Sequence, residues 1–287
     1  RFRKLELVEK ELQFFIDEKV PQVKFVDRTF NCNHKHAIEI WKYIKEHDKG
    51  ITNFHFEVAS DLLNEEELEL IKSMRPGLIQ LEIGVQSTNE QTIRAIRRTM
   101  RFEEVARIVQ RINQGENVHQ HLDLIAGLPY EDMESFQKSF DDVYRLHPEQ
   151  LQLGFLKVLK GSYMESQKER YGLVYKSRPP YEVLYTKWLS YEEMMQLKSV
   201  EEMVEVYYNS RQFSYCLRKL EEEYASPFVL YQGLGRYYEN HELHLMSHSR
   251  ITRYEILLGF IREKHKERES LCRELLTFDL YLRENVK

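Results

Sequence analysis

The sequence contains little cysteine. Its 287 residues include three cysteines, Cys32, Cys216 and Cys272, and no two of them form a C-x-x-C pair. This distribution excludes a disulfide framework, so a reducing cytoplasm is the expected compartment. Long apolar runs are missing too, because none approaches the roughly 18 residues of a membrane-spanning helix. No membrane partner is therefore expected.

Positive charge is also in deficit. Forty-two Lys and Arg residues against 47 Asp and Glu residues leave a net charge of −5 at pH 7. This sign argues against a general nucleic-acid surface or a surface for anionic membranes, because both partners are polyanions. The length suits one large domain, or one and a half ordinary ones.

The clearest local pattern is a buried strand that ends in a polar turn. Between Ile79 and Gln86, apolar residues alternate with Gln, Glu and Gly, which is the period of a pleated strand. Pro76-Gly77 precedes it, and Thr88-Asn89 can cap the helix that follows. The carboxyl end of such a strand is where parallel α/β proteins keep their ligands.

Strands and helices alternate along the first half of the chain. This pattern predicts a parallel sheet with helices outside, since parallel neighbours need crossover connections. From about Ser162 onward no convincing strand is found, and helical stripes predict an all-helical region, the last of them formed by Leu271, Leu275, Phe278 and Leu282. The five predicted strands are 23–27, 54–58, 78–86, 119–125 and 151–156.

Most of these strands deliver a polar residue at their carboxyl end. These residues are Asp27, Glu57, Gln86 and Asp123, with Lys157 just past the last strand. Carboxylates within apolar runs are costly unless they are paired or meet a ligand, so one shared site at a barrel mouth is predicted. The alternative is a set of ordinary solvated strand ends, and for Lys157 that interpretation is preferred.

Four stretches together form a recognisable pattern: FVDRTFN at 25–31, FHFEV at 54–58, EIGVQS at 82–87 followed by Arg97-Arg98, and DLIAGLP at 123–129. They resemble the radical S-adenosylmethionine (SAM) superfamily, in the branch near coproporphyrinogen oxidases, tRNA methylthiotransferases and cobalamin-dependent members. The resemblance covers residues 1 to about 160. The tail, with Pro179-Pro180-Tyr181-Glu182 and Tyr207-Tyr208-Asn209-Ser210, is similar to a C-terminal domain of unknown function found in some cobalamin-binding members.

The resemblance implies an incomplete parallel (βα) TIM-type barrel over 1–160, a helical domain over 161–287, and SAM bound across the strand ends. Arg98 is then expected to pair with the methionyl carboxylate as a two-pronged donor. Glu57 would accept hydrogen bonds from the ammonium group, and Asp123 from the ribose hydroxyls. Gln86 has both donor and acceptor atoms for the same region. Asp27 and Thr29 correspond to the turn that contacts the amino group, while no catalytic residue or metal ligand is assigned.

One departure from the family is decisive. The C-x-x-x-C-x-x-C loop that holds a [4Fe-4S] cluster is absent, and Cys32 stands alone after the wrong strand. We therefore expect a fragment that begins after the cluster loop and also lacks the first barrel strand. On its own, the chain should be catalytically inert and should bind SAM weakly.

The first functional hypothesis is the partial barrel and tail of a radical SAM oxidoreductase. Its full-length form would cleave SAM reductively to a 5′-deoxyadenosyl radical that acts on a small-molecule or otherwise unknown substrate. An electron donor such as flavodoxin or ferredoxin, and a cobalamin domain upstream, are implied. The alternatives are a degenerate barrel serving as a non-catalytic binding or scaffold module, and a conventional barrel with acid–base chemistry at Glu57 and Asp123.

The missing strand has a structural consequence. It would leave the edge of the 23–27 strand open, and open edges tend to pair. We therefore expect self-association through this edge, or cover by the N-terminal helix or the tail.

Three other clusters have simpler interpretations. His241, His244 and His248 have helix-compatible spacing, but a solvated helix is favoured over a metal site. The segment from Asn31 to His36 is best explained as a polar loop that caps a helix. The run Arg94, Arg97, Arg98 and Arg101 is expected to be a charged helix surface with Arg98 turned inward.

Overall fold

A computed structural model of the chain describes residues 2–283. The chain divides into two compact units. Unit 1 comprises Arg1–Ile125 and Arg145–Gly154, and unit 2 comprises Ala126–Tyr144 and Phe155–Lys287. Arg1 and the last four residues, which belong to the expected domains 1–160 and 161–287, lie outside the described residues.

A five-stranded parallel sheet, curled into a half-barrel, is the centre of unit 1. Its strands lie in the order of the chain, as expected for repeated right-handed βα crossovers. The predicted α/β incomplete barrel is confirmed. The strands are β1 Gln22–Lys24, β2 Asn53–Val58, β3 Ile79–Gln86, β4 His119–Ala126 and β5 Gln150–Phe155.

The helices of unit 1 connect these strands, and several begin at the caps that the sequence predicts. Asn64 and Glu67 form a reciprocal capping box at the start of the third helix. Asn89 accepts from the backbone N–H of Gln91 at the start of the fourth, and Asn33 caps the second. These helices are α1 Leu5–Asp17, α2 His34–His47, α3 Glu65–Lys72, α4 Glu90–Ala95 and α5 Phe102–Asn113.

Unit 2 confirms the predicted helical C-terminal region, with one addition. The short strands β6 Val174–Tyr175 and β7 Val183–Tyr185 pair antiparallel, so the expectation that no strand follows Ser162 is wrong in this detail. Strands of two and three residues are too short for a visible period. The helices are α6 Met133–Tyr144, α7 Tyr163–Ser166, α8 Lys168–Tyr171, α9 Tyr191–Met203 with a π-helical extension Val204–Asn209, α10 Ser214–Glu221, α11 Pro227–Asn240, α12 Arg250–Lys264 and α13 Glu269–Arg283.

Helix α6 packs into unit 2, although βα alternation would assign it to the barrel. The Asp141 carboxylate accepts a hydrogen bond from the backbone N–H of Phe228 at 3.0 Å, at the start of α11. Tyr144 and Tyr231 share a buried hydroxyl contact of 3.0 Å. The side chain of Phe140 is fully buried, and its ring meets that of Phe228 edge-on.

The two faces of the sheet differ in polarity. On β3, Ile79, Leu81, Ile83 and Val85 are buried, whereas the alternate residues are partly accessible and polar or glycine. The buried face joins the apolar stripes of the surrounding helices, and its burial is the main stabilising contribution to this unit. No helix among residues 2–283 is long and apolar enough to cross a membrane.

Candidate functional site

Carboxylates and imidazoles occupy the polar face of strands β2, β3 and β4. Glu57 lies beside Glu82 in the β2–β3 register, and Glu82 lies beside His121 in the β3–β4 register. Asp123 follows one layer higher, beside Gly84. Because the strands are parallel and in register, their alternate side chains project to the same side of the sheet.

The carboxyl groups of this face perturb one another. Burial, together with the charges of Glu82 and Glu57, raises the pKa of Asp123 to about 8. Burial and the charge of Glu82 also raise the pKa of Glu57. Burial acts to raise the pKa of Glu82 as well, but the ion pair with Lys24, at 2.9 Å, and the neighbouring histidines together lower it. The face is therefore rich in acceptors and suited to a ligand that brings positive charge or hydroxyl donors.

The end of β3 forms a strained polar turn. Gln86 has a positive φ of 71°, a conformation rarely adopted by residues with a side chain. Its Oε1 atom is buried and has no hydrogen-bond partner within the described residues. The exposed Arg98 reaches back to donate from Nη1 to the carbonyl of Gly84 at 3.1 Å. The structure thus brings Gln86 and Arg98 together at the turn, beside the layer that holds Asp123.

Two histidines on this face were missed by sequence reasoning, which considered strand ends alone. His55 Nε2 and Glu82 Oε2 lie 2.9 Å apart, and His121 Nε2 lies 3.1 Å from Asp123 Oδ1. Both are ion-pair contacts, and both Nε2 atoms are buried with no assigned hydrogen bond within the described part of the chain. Burial lowers the pKa of both histidines. The signal was present in the alternation of polar residues along FHFEV and HQHLD.

Asp27 and Thr29 have different surroundings. Strand β1 ends at Lys24, so both residues lie in the following loop, with Asp27 exposed and Thr29 partly accessible. They line a cavity of about 620 Å³, together with Val23 and the aromatic residues Phe15 and Phe25. Nothing in the described contacts joins them to Glu57, Gln86, Arg98 or Asp123.

The histidines at 241–248 do not form a common metal face. Helix α11 ends at Asn240, so they do not share one helix. His241 pairs with Glu263 at 3.0 Å, while His244 and His248 contact the backbone carbonyls of Tyr238 and Leu243. Asn33, within the 31–36 loop, caps α2 as expected.

The arginine run does not lie on one helix, contrary to expectation. Helix α4 ends at Ala95, and Arg97 has a positive φ of 61°. Arg94 and Arg101 pair with Glu90 and Glu104 respectively.

Known families match both halves of the chain. Residues 1–143 match the radical SAM superfamily. The chain belongs to the radical SAM superfamily. Residues 169–287 match the family described as protein of unknown function (DUF4080). Both resemblances drawn from the sequence are thereby confirmed, and none of the curated proteins matches this radical SAM chain.

Solved structures with a similar fold include two described as radical SAM enzymes. The apo, selenomethionine-labelled cobalamin-dependent S-adenosylmethionine radical enzyme OxsB is 12% identical, with a TM-score of 0.54 over 98% of this chain and 52% of that one. The radical S-adenosylmethionine methyltransferase TsrM from Kitasatospora setae is 16% identical, with a TM-score of 0.51 over 61% of this chain and 34% of that one. This radical SAM chain thus spans between a third and about half of the length of those proteins. At such identities the likeness shows the fold.

The residues present fit SAM but not an iron–sulfur cluster. Gln86 Oε1 and Asp123 Oδ1 are buried acceptors without a partner in residues 2–283, and SAM carries ammonium and hydroxyl donors. For the cluster, the groups of potential metal ligands found in the described residues contain no cysteine. Cys216 and Cys272 are free, buried thiols in unit 2.

Proposed function

We propose that this chain is the SAM-binding barrel portion, residues 1–160, and the helical portion, residues 161–287, of a radical SAM oxidoreductase. In the full-length protein, SAM would be cleaved reductively to methionine and a 5′-deoxyadenosyl radical that acts on a small-molecule or otherwise unknown substrate. The observation that supports this proposal is the convergence of Glu57, Gln86 and Asp123 with Arg98 near the carboxyl ends of β2, β3 and β4.

Each of these side chains has a distinct task in the proposal. The guanidinium of Arg98 pairs with the methionyl carboxylate through two parallel donors. Glu57 and Gln86 accept from the ammonium group, and Asp123 accepts from the ribose hydroxyls. Burial, together with repulsion between carboxylates, raises the pKa values of Glu57 and Asp123. SAM also brings a sulfonium, whose positive charge opposes both effects. Asp27 and Thr29 are retained as contacts of the amino group through the loop after β1.

A [4Fe-4S] cluster, when bound, supplies the electron for SAM cleavage. Its thiolate ligands are proposed to come from a part of the protein outside this chain, since the residues described here do not fit it. The chain alone is therefore expected to be inactive. Flavodoxin or ferredoxin is the proposed electron donor. A cobalamin domain is proposed from the description of OxsB as cobalamin-dependent.

Self-association is proposed to occur through strand β1, because this strand lies at one edge of the sheet. Edge strands offer unpaired backbone groups to other chains. Helix α1 contributes Leu12 and Phe15 to the cavity beside Val23, so cover by α1 is the competing possibility. The free thiols of Cys216 and Cys272 accord with the proposed reducing cytoplasm.

A binding experiment tests the SAM site itself. Equilibrium dialysis of the chain against labelled SAM should give weak, saturable binding. Asp123→Ala and Arg98→Gln should each weaken it by roughly tenfold, about 1.4 kcal/mol for a lost polar contact. Arg94→Gln is the matched control, because Arg94 is exposed and pairs with Glu90. Absence of saturable binding, or equal binding by all variants, would leave the scaffold or the conventional barrel as the better hypothesis.

The full-length protein tests the reaction class. After anaerobic reconstitution with iron and sulfide and chemical reduction, it should release 5′-deoxyadenosine from SAM. Three cysteines with the spacing C-x-x-x-C-x-x-C upstream of Arg1 in the full-length sequence would agree with this outcome. Their absence, together with no 5′-deoxyadenosine, would contradict the enzyme hypothesis.

A further inference from the structure

Three side chains from adjacent strands converge on the polar face of unit 1. They are His55 on β2, Glu82 on β3 and His121 on β4, and each offers one ligand atom within 4.8 Å of the others. The two imidazole rings have their centroids 6.5 Å apart. The carboxylate of Glu82 lies beside them, with its Oε2 atom 2.9 Å from His55 Nε2.

The imidazole nitrogens of this cluster lack ordinary partners. His55 Nε2 and both ring nitrogens of His121 are buried without a hydrogen bond in the described residues. The two side chains are only 9% and 7% exposed. A buried polar atom without a hydrogen-bond partner is destabilising. Three such atoms at one place, beside a carboxylate, require an explanation, and a bound cation supplies one.

We propose that His55, Glu82 and His121 bind a divalent transition-metal ion of the zinc type. Two imidazole nitrogens and one carboxylate oxygen are a donor set that suits Zn²⁺, Fe²⁺ or Co²⁺, whereas Mg²⁺ and Ca²⁺ prefer oxygen ligands alone. Three protein ligands leave one coordination position for water or a substrate atom. The set contains no thiolate, so it is distinct from an iron–sulfur cluster.

The neighbouring charges favour a cation here and also identify a competitor. Asp123 Oδ1 lies 3.1 Å from His121 Nε2, where it can orient the imidazole as the carboxylates around metal sites do. Glu57 adds a further negative charge in register with Glu82. Lys24 Nζ contacts the same Glu82 oxygen at 2.9 Å, and its side chain is 53% exposed. The ammonium group can therefore move into solvent when a metal ion takes its place.

A second group of potential ligands provides a control. Glu223, His265 and Glu267 in unit 2 also lie within 4.8 Å of one another. However, His265 hydrogen-bonds to the hydroxyl of Tyr224 at 2.9 Å, and Glu223 pairs with Arg268 at 2.7 Å. Because its histidine already has a hydrogen-bond partner and the group is more exposed than the cluster of His55, Glu82 and His121, no metal ion is assigned to it.

Titration of the chain with Zn²⁺ against a chromophoric chelator tests the assignment. Wild type should bind one tight equivalent, and Co²⁺ at the same position should show the visible absorption of a low-coordinate ion. His121→Ala and Glu82→Gln each remove a proposed metal ligand, and each should weaken Zn²⁺ binding by roughly a hundredfold. Loss of a residue that only supports a ligand already weakens metal binding by up to about a hundredfold. His265→Ala should bind as wild type does.

Lys24→Met keeps the test decisive even where a ligand variant fails to fold. Removing the competing ammonium should tighten Zn²⁺ binding several-fold and leave the stoichiometry at one. Weaker binding by Lys24→Met, an unchanged tight equivalent in a folded His121→Ala, or its loss in His265→Ala would each overturn the assignment. The titration uses neither SAM nor a cluster, so its result is independent of the proposed reaction.

Discussion

Arg75 donates hydrogen bonds from two guanidinium nitrogens to the carboxylate of Asp48. Nη2 reaches Oδ1 at 3.0 Å, and Nε contacts Oδ2. Nη2 also donates to the carbonyl of Thr52 at 2.9 Å. Asp48 follows α2, and Arg75 precedes β3. The pair therefore joins the connections that lead into two neighbouring strands of the sheet.

Replacing Arg75 should destabilise unit 1. Arg75→Gln removes a two-pronged ionic contact from Asp48, whose side chain is 13% exposed, and should lower the free energy of unfolding by about 1–2 kcal/mol at pH 7. Urea denaturation followed by circular dichroism measures this. Arg94→Gln, at an exposed pair, should change stability by less than about 0.5 kcal/mol. An equal effect of the two variants would contradict the prediction.

The contribution of Asp48 should depend on pH. Burial acts to raise its pKa, but the hydrogen bonds from Arg75 and Gly50 outweigh burial and hold the pKa below its ordinary value. A lowered pKa in the folded state stabilises at pH values above the unfolded pKa of about 3.9, and this contribution is lost as the pH falls through the folded pKa. The stability gap between wild type and Arg75→Gln should thus be constant from pH 7 to pH 5 and narrow below about pH 4. A gap that widens in acid would show the sign to be wrong.

A methyl group at Gly84 should disturb the turn that ends β3. A Cβ atom there would lie 2.3 Å from Nε2 of Gln86 and 3.5 Å from Nη1 of Arg98. The Gln86 side chain would have to move. The backbone of Gly84 does not have a positive φ, so alanine can adopt its conformation. Gly84→Ala should therefore remain folded and lose roughly tenfold in SAM affinity, as for one lost polar contact. Gly154→Ala, whose nearest contact would be 3.5 Å, is the control, and dialysis distinguishes the two variants.

Asp279 on α13 should stabilise unit 2. Its carboxylate, 3% exposed, accepts from the backbone N–H groups of Tyr215 and Cys216 at 3.1 and 3.0 Å. Asp279→Ala leaves two N–H groups at the start of α10 without an acceptor and should cost about 2 kcal/mol. Asp279→Asn, which keeps one acceptor, should lie between wild type and Asp279→Ala in urea denaturation. Glu274→Ala, exposed on the same helix, should be neutral, and a loss as large as that of Asp279→Ala would argue against a specific cap.

Truncation after residue 160 tests the proposed domain boundary. The shortened chain would retain α6 but lose α11, which supplies the partners of Asp141, Phe140 and Tyr144. An apolar helix face then meets water, so we expect aggregation on gel filtration and strong binding of a hydrophobic dye. A monodisperse fragment that unfolds cooperatively would support the boundary at 160. The full chain carrying Asp141→Ala is the companion variant, and it should remain monomeric or dimeric.

Periodicity determined the parts of the fold that could be predicted. The strand at Ile79–Gln86 alternates cleanly, and its burial follows that alternation. The Asn64 and Asn89 caps were visible because capping chemistry is local. By contrast, β1 contains three residues, and Val26 is 94% exposed. Strand β1 lies at the edge of the described sheet, where it pairs with β2, and Asp27 lies in the loop that follows it.

Contacts distant in sequence account for what could not be predicted. On α13 the predicted apolar stripe is wrong: Leu271, Phe278 and Leu282 are exposed, and the buried face contains Cys272, Leu276 and Asp279. A carboxylate appears on the buried face only because α10 presents its N–H groups there. Likewise, the cluster of His55, Glu82 and His121 depends on the register of three strands, which single-strand patterns do not provide.

Helix α6 has a consequence for how the gene can be rearranged. It lies within the segment matched by the radical SAM superfamily, residues 1–143, yet its side chains complete the core of unit 2. The segment matched by the C-terminal family, residues 169–287, therefore lacks part of its core when it is separated from α6. A recombination event that joined it to a foreign barrel would also have to carry Asp141 and its neighbours, so the two families should be inherited as a single block.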